Sequence, residues 1–341
     1  MKKHRKQQLS SEHLGVYLFA WTAILLAAVL GYAIVLGESE EPEFVSNSHG
    51  AVEERATFPS KGKAIDYGVY FANGRDTVAS INGLLGNKLK IFGVFEPWNT
   101  SGLRNSTKIG DVCAANYVPF ITWESWGGKS SNVEYDLLAI SEGTHDDHIN
   151  TFLDGIKGLC KDKPVLVRFD HEMEMRPGYG SPWSPWQGKP TEYVRAWRYI
   201  TQYADNYPGV NIRWVWSPNR GDEYIIPYYP GDEYVDYVGV TLNHPTITGN
   251  VYDNFEEFYT PNKAALEQFN KPIIIGEAAY NNTNVDTYQD WITSAFSYVD
   301  ANENIVAIIW FNQEFEHVDY GVTTNQSSIE IFKHSLERYA R

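Results

Sequence analysis

Beyond its first 63 residues the chain alternates between two textures of apolar and polar positions. Short runs rich in apolar, β-branched and aromatic residues recur at Ile65–Phe71, Leu89–Phe95, Tyr117–Trp123, Pro164–Phe169, Asn211–Trp216, Val235–Val240, Pro272–Ile275 and Ile305–Phe311. Each has the length of a buried strand. Between them lie longer stretches whose bulky residues are spaced as on one helical face, as in Tyr193–Tyr207 (YVRAWRYITQYADNY) and Tyr288–Val299 (YQDWITSAFSYV). Parallel strands need a crossover to connect them, and a helix is the usual one. Eight strand–helix units therefore predict an α/β fold of one kind, a closed (β/α)8 TIM barrel over residues 64–341. No internal repeat is visible.

The first 63 residues read differently. Lys2, Lys3, Arg5 and Lys6 form a basic tail over residues 1–13. Leu14–Leu36 then runs for 23 residues without a charge, and Glu38, Glu40 and Glu41 follow. An apolar span of that length suits a transmembrane signal-anchor, and the basic flank assigns its first end to the cytoplasm. A cleaved signal peptide is the rival, but its apolar region is usually shorter and ends in a small-residue cleavage site. Residues 37–63 are polar and acidic and read as a flexible linker. The expected location is thus the cell membrane by a single pass, with the barrel extracytoplasmic, or secreted if the segment is cleaved.

Charge narrows the partners. The formal net charge is -15, which opposes binding to nucleic acid but not to a neutral polymer. The 11 Trp and 23 Tyr exceed what packing usually asks for and lean towards a cleft that stacks sugar rings. Cys113 and Cys160 are the whole cysteine complement. Their positions near the bottom ends of neighbouring helices allow a bridge outside the cytoplasm, although two buried thiols are the preferred expectation.

In a barrel of this type the reactive face lies at the C-terminal ends of the strands. The polar residues expected there are Glu96, Glu124, His171, Glu172, Asn219, Asn243, His244, Glu277 and Asn312–Glu314, with Trp98, Trp123, Trp126, Trp183, Trp186, Trp214, Trp216 and Trp310 interleaved. Carboxylates ringed by indoles suit glycoside hydrolysis, which needs one carboxyl to protonate the leaving oxygen and a second to attack or to activate water. Glu172 closes the fourth strand and Glu277 the seventh, so the two face each other across the mouth. Arg168, Asp170 and Glu172 share a strand face, leaving Arg168 either beside the nucleophile or paired with Asp170. Trp183 and Trp186 sit in a Ser/Pro loop as candidate platforms, and Trp123, Glu124 and Trp126 as shapers of a distal subsite. Trp214 and Trp216 alternate along one strand, so at least one of them is barrel packing. His145–His148 opens a helix and reads as capping rather than as a metal site.

The ordered set RFDHEM, SPWSPWQGKPTEYVRAWRYI, NIRWVWSPN, YYPGDEYVDYVG, KPIIIGEAAY and AIIWFN resembles glycoside hydrolase family 26, from about Asp66 to Phe311. The resemblance implies a retaining β-glycosidase acting on a β-linked polysaccharide, with β-mannan first and mixed-linkage β-1,3-1,4-glucan second. It implies Glu172 as acid/base, Glu277 as nucleophile, His171 beside the cleaved bond and Trp310 as the floor of the sugar site, with no cofactor. Two positions depart from the family pattern. Glu174 stands where an Asn is common, and at the sixth strand VGVTLNHP lacks the usual Tyr, so that Asn243 or His244 contacts the nucleophile or the position is empty. A second function class, a non-hydrolytic or trimming glycan-binding accessory beside a polysaccharide synthase, is suggested by the anchor and the altered sixth strand.

Overall fold

In the computed structural model, residues 64–72, 76–98, 102–127, 135–175, 184–243, 254–315 and 317–340 are described. Eight parallel strands close into one barrel in sequence order. They are β1 (Asp66–Tyr70), β2 (Ile91–Pro97), β3 (Val118–Glu124), β4 (Pro164–Phe169), β5 (Asn211–Trp216), β6 (Tyr237–Asn243), β7 (Ile273–Ala279) and β8 (Ile305–Trp310). The helices between them are α1 (Val78–Leu84), α2 (Ser106–Ala114), α3 (Leu137–Ser141), α4 (Asp146–Cys160), α5 (Pro190–Asp205), α6 (Phe255–Glu267) and α7 (Val285–Ala301), and α8 (Gln326–Tyr339) follows the last strand. A two-stranded hairpin, β9 (Glu314–Phe315) with β10 (Val318–Asp319), decorates the loop after β8. The expected anchor and linker, residues 1–63, lie outside the described residues. Among the described residues no helix is long and apolar enough to cross a membrane.

Alternation along the strands sorts the core into two layers. Tyr70, Ile91, Phe120, Leu166, Val215, Ile274, Val306 and Ile309 fill the barrel interior. Their neighbours in sequence, such as Val69, Phe92, Ile121, Val167, Trp216, Ile275 and Trp310, face outward onto the helices. This inside–outside parity decides which strand-end residue reaches the mouth.

The layer beneath the helices is closed by specific contacts. On α5, Tyr199 and Tyr203, with Tyr207 just beyond it, donate hydroxyls to Asp146, Asn150 and Asp154 of α4 at 2.7, 2.9 and 2.6 Å. The spacing of four on each side holds the two helices in one register. Asp146 and Asp147 occupy the first turn of α4, where acidic groups complement the helix dipole.

The expectation of two buried thiols is corrected. Cys113 and Cys160 form a disulfide, with Cα atoms 5.1 Å apart. They end α2 and α4, at the bottom of the barrel and away from the mouth. Periodicity alone does not give the lateral distance between two helix ends, so pairing was beyond the pattern.

Candidate active site

Glu172 follows β4 on a backbone that is bent twice into the left-handed region, at Asp170 (φ 41°) and Glu172 (φ 57°). Such conformations are costly for non-glycine residues and persist only when neighbours hold them. Asp170 is held by the Ser125 amide at 2.8 Å and its hydroxyl at 2.7 Å. The Glu172 amide donates to Ser217 O at 2.9 Å, and Gln187 Nε2 donates to Glu172 O at 3.0 Å. Trp186 donates its indole N–H to His171 O at 2.8 Å. The strain is therefore secured from three directions, and it turns both His171 and Glu172 towards the mouth.

Glu277 reaches the mouth by a different device. Ile274 points inward and Ile275 outward, so regular alternation would turn Glu277 out among the helices. The register shifts there: Val240 pairs with Ile275 but Thr241 with Glu277. The extra residue, Gly276, is a β-bulge that reverses the parity. A Cβ at Gly276 would lie 3.2 Å from Arg168 Nη1 and 3.4 Å from Phe120 Cζ, so the bulged residue faces inward as well.

Arg168 lies against Glu277. Its Nη2 donates to Glu277 Oε1 in a close ion pair, to Tyr70 Oη at 3.0 Å and to Thr122 Oγ1 at 2.8 Å. Tyr70 reaches this place because Gly93 on β2 has no side chain, and a Cβ there would stand 2.6 Å from the Tyr70 ring. Of the two readings open for Arg168, the ion pair with Glu277 is the one observed, while Asp170 is occupied by Ser125. Asn243 Nδ2 donates to the other Glu277 oxygen, Oε2, at 2.9 Å, filling the position left without a tyrosine. His244 and Trp183 lie outside the described residues.

The carboxylate oxygens of Glu172 and Glu277 and a His171 ring nitrogen all lie within 4.8 Å of one another. Burial, followed by the neighbouring Glu277 charge, pushes the Glu172 carboxyl up to about 7. Burial likewise raises Glu124 to about 7, and its Oε1 stands 3.9 Å from His171 Nδ1. Burial and then Arg168 hold the His171 pKa well below its usual value, so this ring is neutral at pH 7. Three such donors have the spacing of a cation site, but Arg168 already supplies positive charge against Glu277, which opposes a second cation there.

The aromatic expectations need correction. Trp310, expected as the sugar floor, faces outward and packs on Phe296 and Phe332, with centroids 6.0 and 5.2 Å away. Trp216 also faces out, bonding Tyr228 O and lying against Phe269. Trp123 stacks on Phe152 of α4 at 4.0 Å. Trp186 is fully buried as a support for His171. The cause is shared by all four: parity or loop packing turns the large indoles into the layer under the helices. Among the described residues, Phe95, Phe311, Phe315 and Tyr320 are rings grouped at the mouth. Phe95 lies 6.2 Å from His171 and 6.3 Å from Phe311, and Phe311 lies 6.3 Å from Phe315, which is 44 % exposed. Sequence reading passed over the phenylalanines because Phe is the commoner core residue, although Phe311 has the inward parity of Ile309. Glu96 accepts from the Asn105 amide at 2.9 Å and from the Arg104 amide, and Asn312 bonds Thr323. Both brace loops.

Comparisons with known proteins agree with this fold. The family model described as glycosyl hydrolase family 26 matches residues 57–316. Endoglucanase H of Acetivibrio thermocellus is 26% identical over 275 residues, covering 76% of this chain and 29% of that protein. Mannan endo-1,4-beta-mannosidase A and B of Caldalkalibacillus mannanilyticus is 31% identical over 110 residues, covering 29% of this chain and 20% of that protein. The chain thus matches less than a third of the length of either relative. An endo-beta-1,4-mannanase double mutant of Cellulomonas fimi superposes with a TM-score of 0.60 at 18% identity, over 81% of this chain and 71% of that one. At that identity the superposition speaks for the fold. With the family match spanning most of the barrel, the chain belongs to glycosyl hydrolase family 26.

Proposed function

We propose that the protein is a retaining endo-β-glycosidase acting on a β-linked mannan or glucan, anchored in the cell membrane with its barrel outside the cytoplasm. The observation that carries the chemistry is that one carboxylate oxygen of Glu172 and one of Glu277 lie within 4.8 Å of each other. Retaining pairs stand about 5–5.5 Å apart, whereas inverting pairs need room for a water between them, at about 6.5–9.5 Å. Glu277, paired with Arg168, attacks the anomeric carbon. Glu172, protonated because it is buried beside that charge, gives its proton to the departing glycosidic oxygen. The leaving sugar departs, and Glu172, now a base, takes a proton from water as that water displaces Glu277. Neutral His171 lies 3.8 Å from Glu277 Oε1 and is placed to hydrogen-bond the ring under attack.

The names of the relatives divide the substrate between glucose and mannose polymers, and the endoglucanase match covers more of this chain. The anchor rests on residues 14–36 of the sequence, and the extracytoplasmic side is supported by the disulfide, which persists in oxidising compartments. The intact Arg168–Glu277–Glu172 set favours hydrolysis over pure glycan binding, so any association with a polysaccharide synthase would be for trimming. The test is a product panel on β-mannan, mixed-linkage glucan, β-1,3-glucan and xylan, with NMR of the first anomer released. A β-anomer from mannan or glucan is expected. An α-anomer would overturn the retaining mechanism, and retardation on glycan gels with no product would leave the accessory reading in its place.

A further inference from the structure

Glu174 has no part in the double displacement, yet it is a carboxyl buried to 8 % exposure two residues beyond Glu172. Its Oε1 accepts the Arg220 backbone N–H at 2.8 Å, and the backbone N–H groups of Asn219 and of Glu174 itself are directed at the same carboxyl. Residues 217–221 (SPNRG) belong to no helix or strand, so their backbone groups need partners from outside. They find them on all sides. Ser217 O accepts from Glu172 N at 2.9 Å, Pro218 O from Thr241 N at 3.2 Å, and Gly221 N donates to Asn262 Oδ1 at 2.8 Å. Asn219, between these ties, places its side chain in polar contact with the Glu172 carboxyl.

We propose that Glu174 is a positioning residue for the acid/base: it pins the Asn219–Arg220 backbone so that the Asn219 amide stays against Glu172. This rests on the reading of Glu172 as acid/base. Burial pushes Glu174 itself up to about 8, so at neutral pH the clamp is an uncharged acid and adds little repulsion to the site. The groups facing Glu172 are Glu277 on β7, Arg168 on β4, Glu124 on β3, Thr241 on β6, Asn219 after β5, and the adjacent His171 and Glu174. Glu277 and burial oppose ionisation of Glu172, whereas Asn219, Thr241 and Arg168 favour it. A slack loop would withdraw the Asn219 contribution alone.

Two variants separate the clamp from the charge. Glu174→Gln removes the titrating group and keeps an oxygen for the backbone N–H, whereas Glu174→Met keeps the volume and offers no such oxygen. The measurement is the carboxyl titration of Glu172 by NMR on 13C-glutamate-labelled full-length protein, assigned with Glu172→Gln, so it does not depend on finding a substrate. The Glu172 pKa is expected to be about half a unit higher in Glu174→Met than in Glu174→Gln, a threefold change in its ionisation constant. In an Asn219→Ala background that difference should vanish. Equal values in Glu174→Met and Glu174→Gln, or a difference that survives Asn219→Ala, would overturn the clamp. Should Glu174→Met not fold, Asn219→Ala alone decides, and a Glu172 pKa that does not rise would sink the proposal. Failure of the functional reading shows separately, as absence of product from every β-glycan.

Discussion

Glu172 and Glu277 are the same kind of residue placed in different surroundings, and the surroundings suit them to the two different roles proposed above. Arg168 and Asn243 hold both oxygens of Glu277 in hydrogen bonds that stabilise the carboxylate. Glu172 is buried beside that charge, so its neutral form is favoured and its pKa rises to about 7. The general acid must carry its proton, so kcat/KM is expected to fall as pH rises through about 7, and a profile flat to pH 9 would contradict the assignment. Replacing either Glu172 or Glu277 by Ala should lower kcat on an unactivated glycan by roughly a thousandfold or more. Circular dichroism should show both variants folded, and near-native turnover by either would remove that residue from the mechanism. These two glutamates were legible in the sequence because each ends a strand on the reactive face. Arg168 was half legible: parity turned it into the barrel, but only the fold chose Glu277 over Asp170 as its partner.

At the scale of elements, the strand-end residues were found by a rule that two irregularities break. The bulge at Gly276 turns Glu277 inward against the alternation of β7, and the left-handed pair at Asp170 and Glu172 bends the chain at the end of β4. Gly276→Ala puts a methyl 3.2 Å from Arg168 Nη1 and should push the guanidinium off Glu277. A loss in kcat is expected, smaller than the roughly 100–1,000-fold that follows outright removal of one group stabilising a transition-state charge. KM should change little, and a variant with unaltered steady-state kinetics would show that Arg168 accommodates the methyl. The same parity rule explains the displaced tryptophans. Trp123, Trp216 and Trp310 lie on the outward side of their strands, where a wide ring fills the gap between barrel and helices. Aromatic content thus overstated the number of sugar platforms, since composition counts rings without saying which face they occupy.

At the scale of the whole molecule, two properties govern stability. The Cys113–Cys160 bridge spans 47 residues of sequence, and a cross-link over a loop of that length stabilises by about 3–4 kcal/mol in the chain-entropy account. Replacing both cysteines by Ser should lower Tm by several degrees and leave turnover at low temperature intact, because the bridge lies at the end of the barrel away from the carboxylates. Thermal scans of the two proteins check this, and equal Tm values would deny the bridge its role. The second property is the set of buried carboxyls. Glu124 and Glu172 are raised to about 7 and Glu174 to about 8, from about 4.3 in an unfolded chain. A raised acid stabilises the fold fully below its unfolded pKa and loses that contribution as pH rises through the folded one. The protein should therefore melt at lower temperature at pH 9 than at pH 5.5, and Glu124→Gln should flatten that dependence.

The amino-acid sequence by itself determined the barrel and the placing of Glu172 and Glu277 together at one end of it. These follow from hydrophobic periodicity and from residue type at strand ends, both local along the chain. Only the tertiary structure decided the Arg168–Glu277 pair, the use of Asn243 in place of a tyrosine, the Cys113–Cys160 bridge and the turning of Trp123, Trp216 and Trp310 away from the mouth. Each of these depends on the lateral distance between elements far apart in sequence, or on one inserted residue that reverses a strand's parity, and no local pattern carries either.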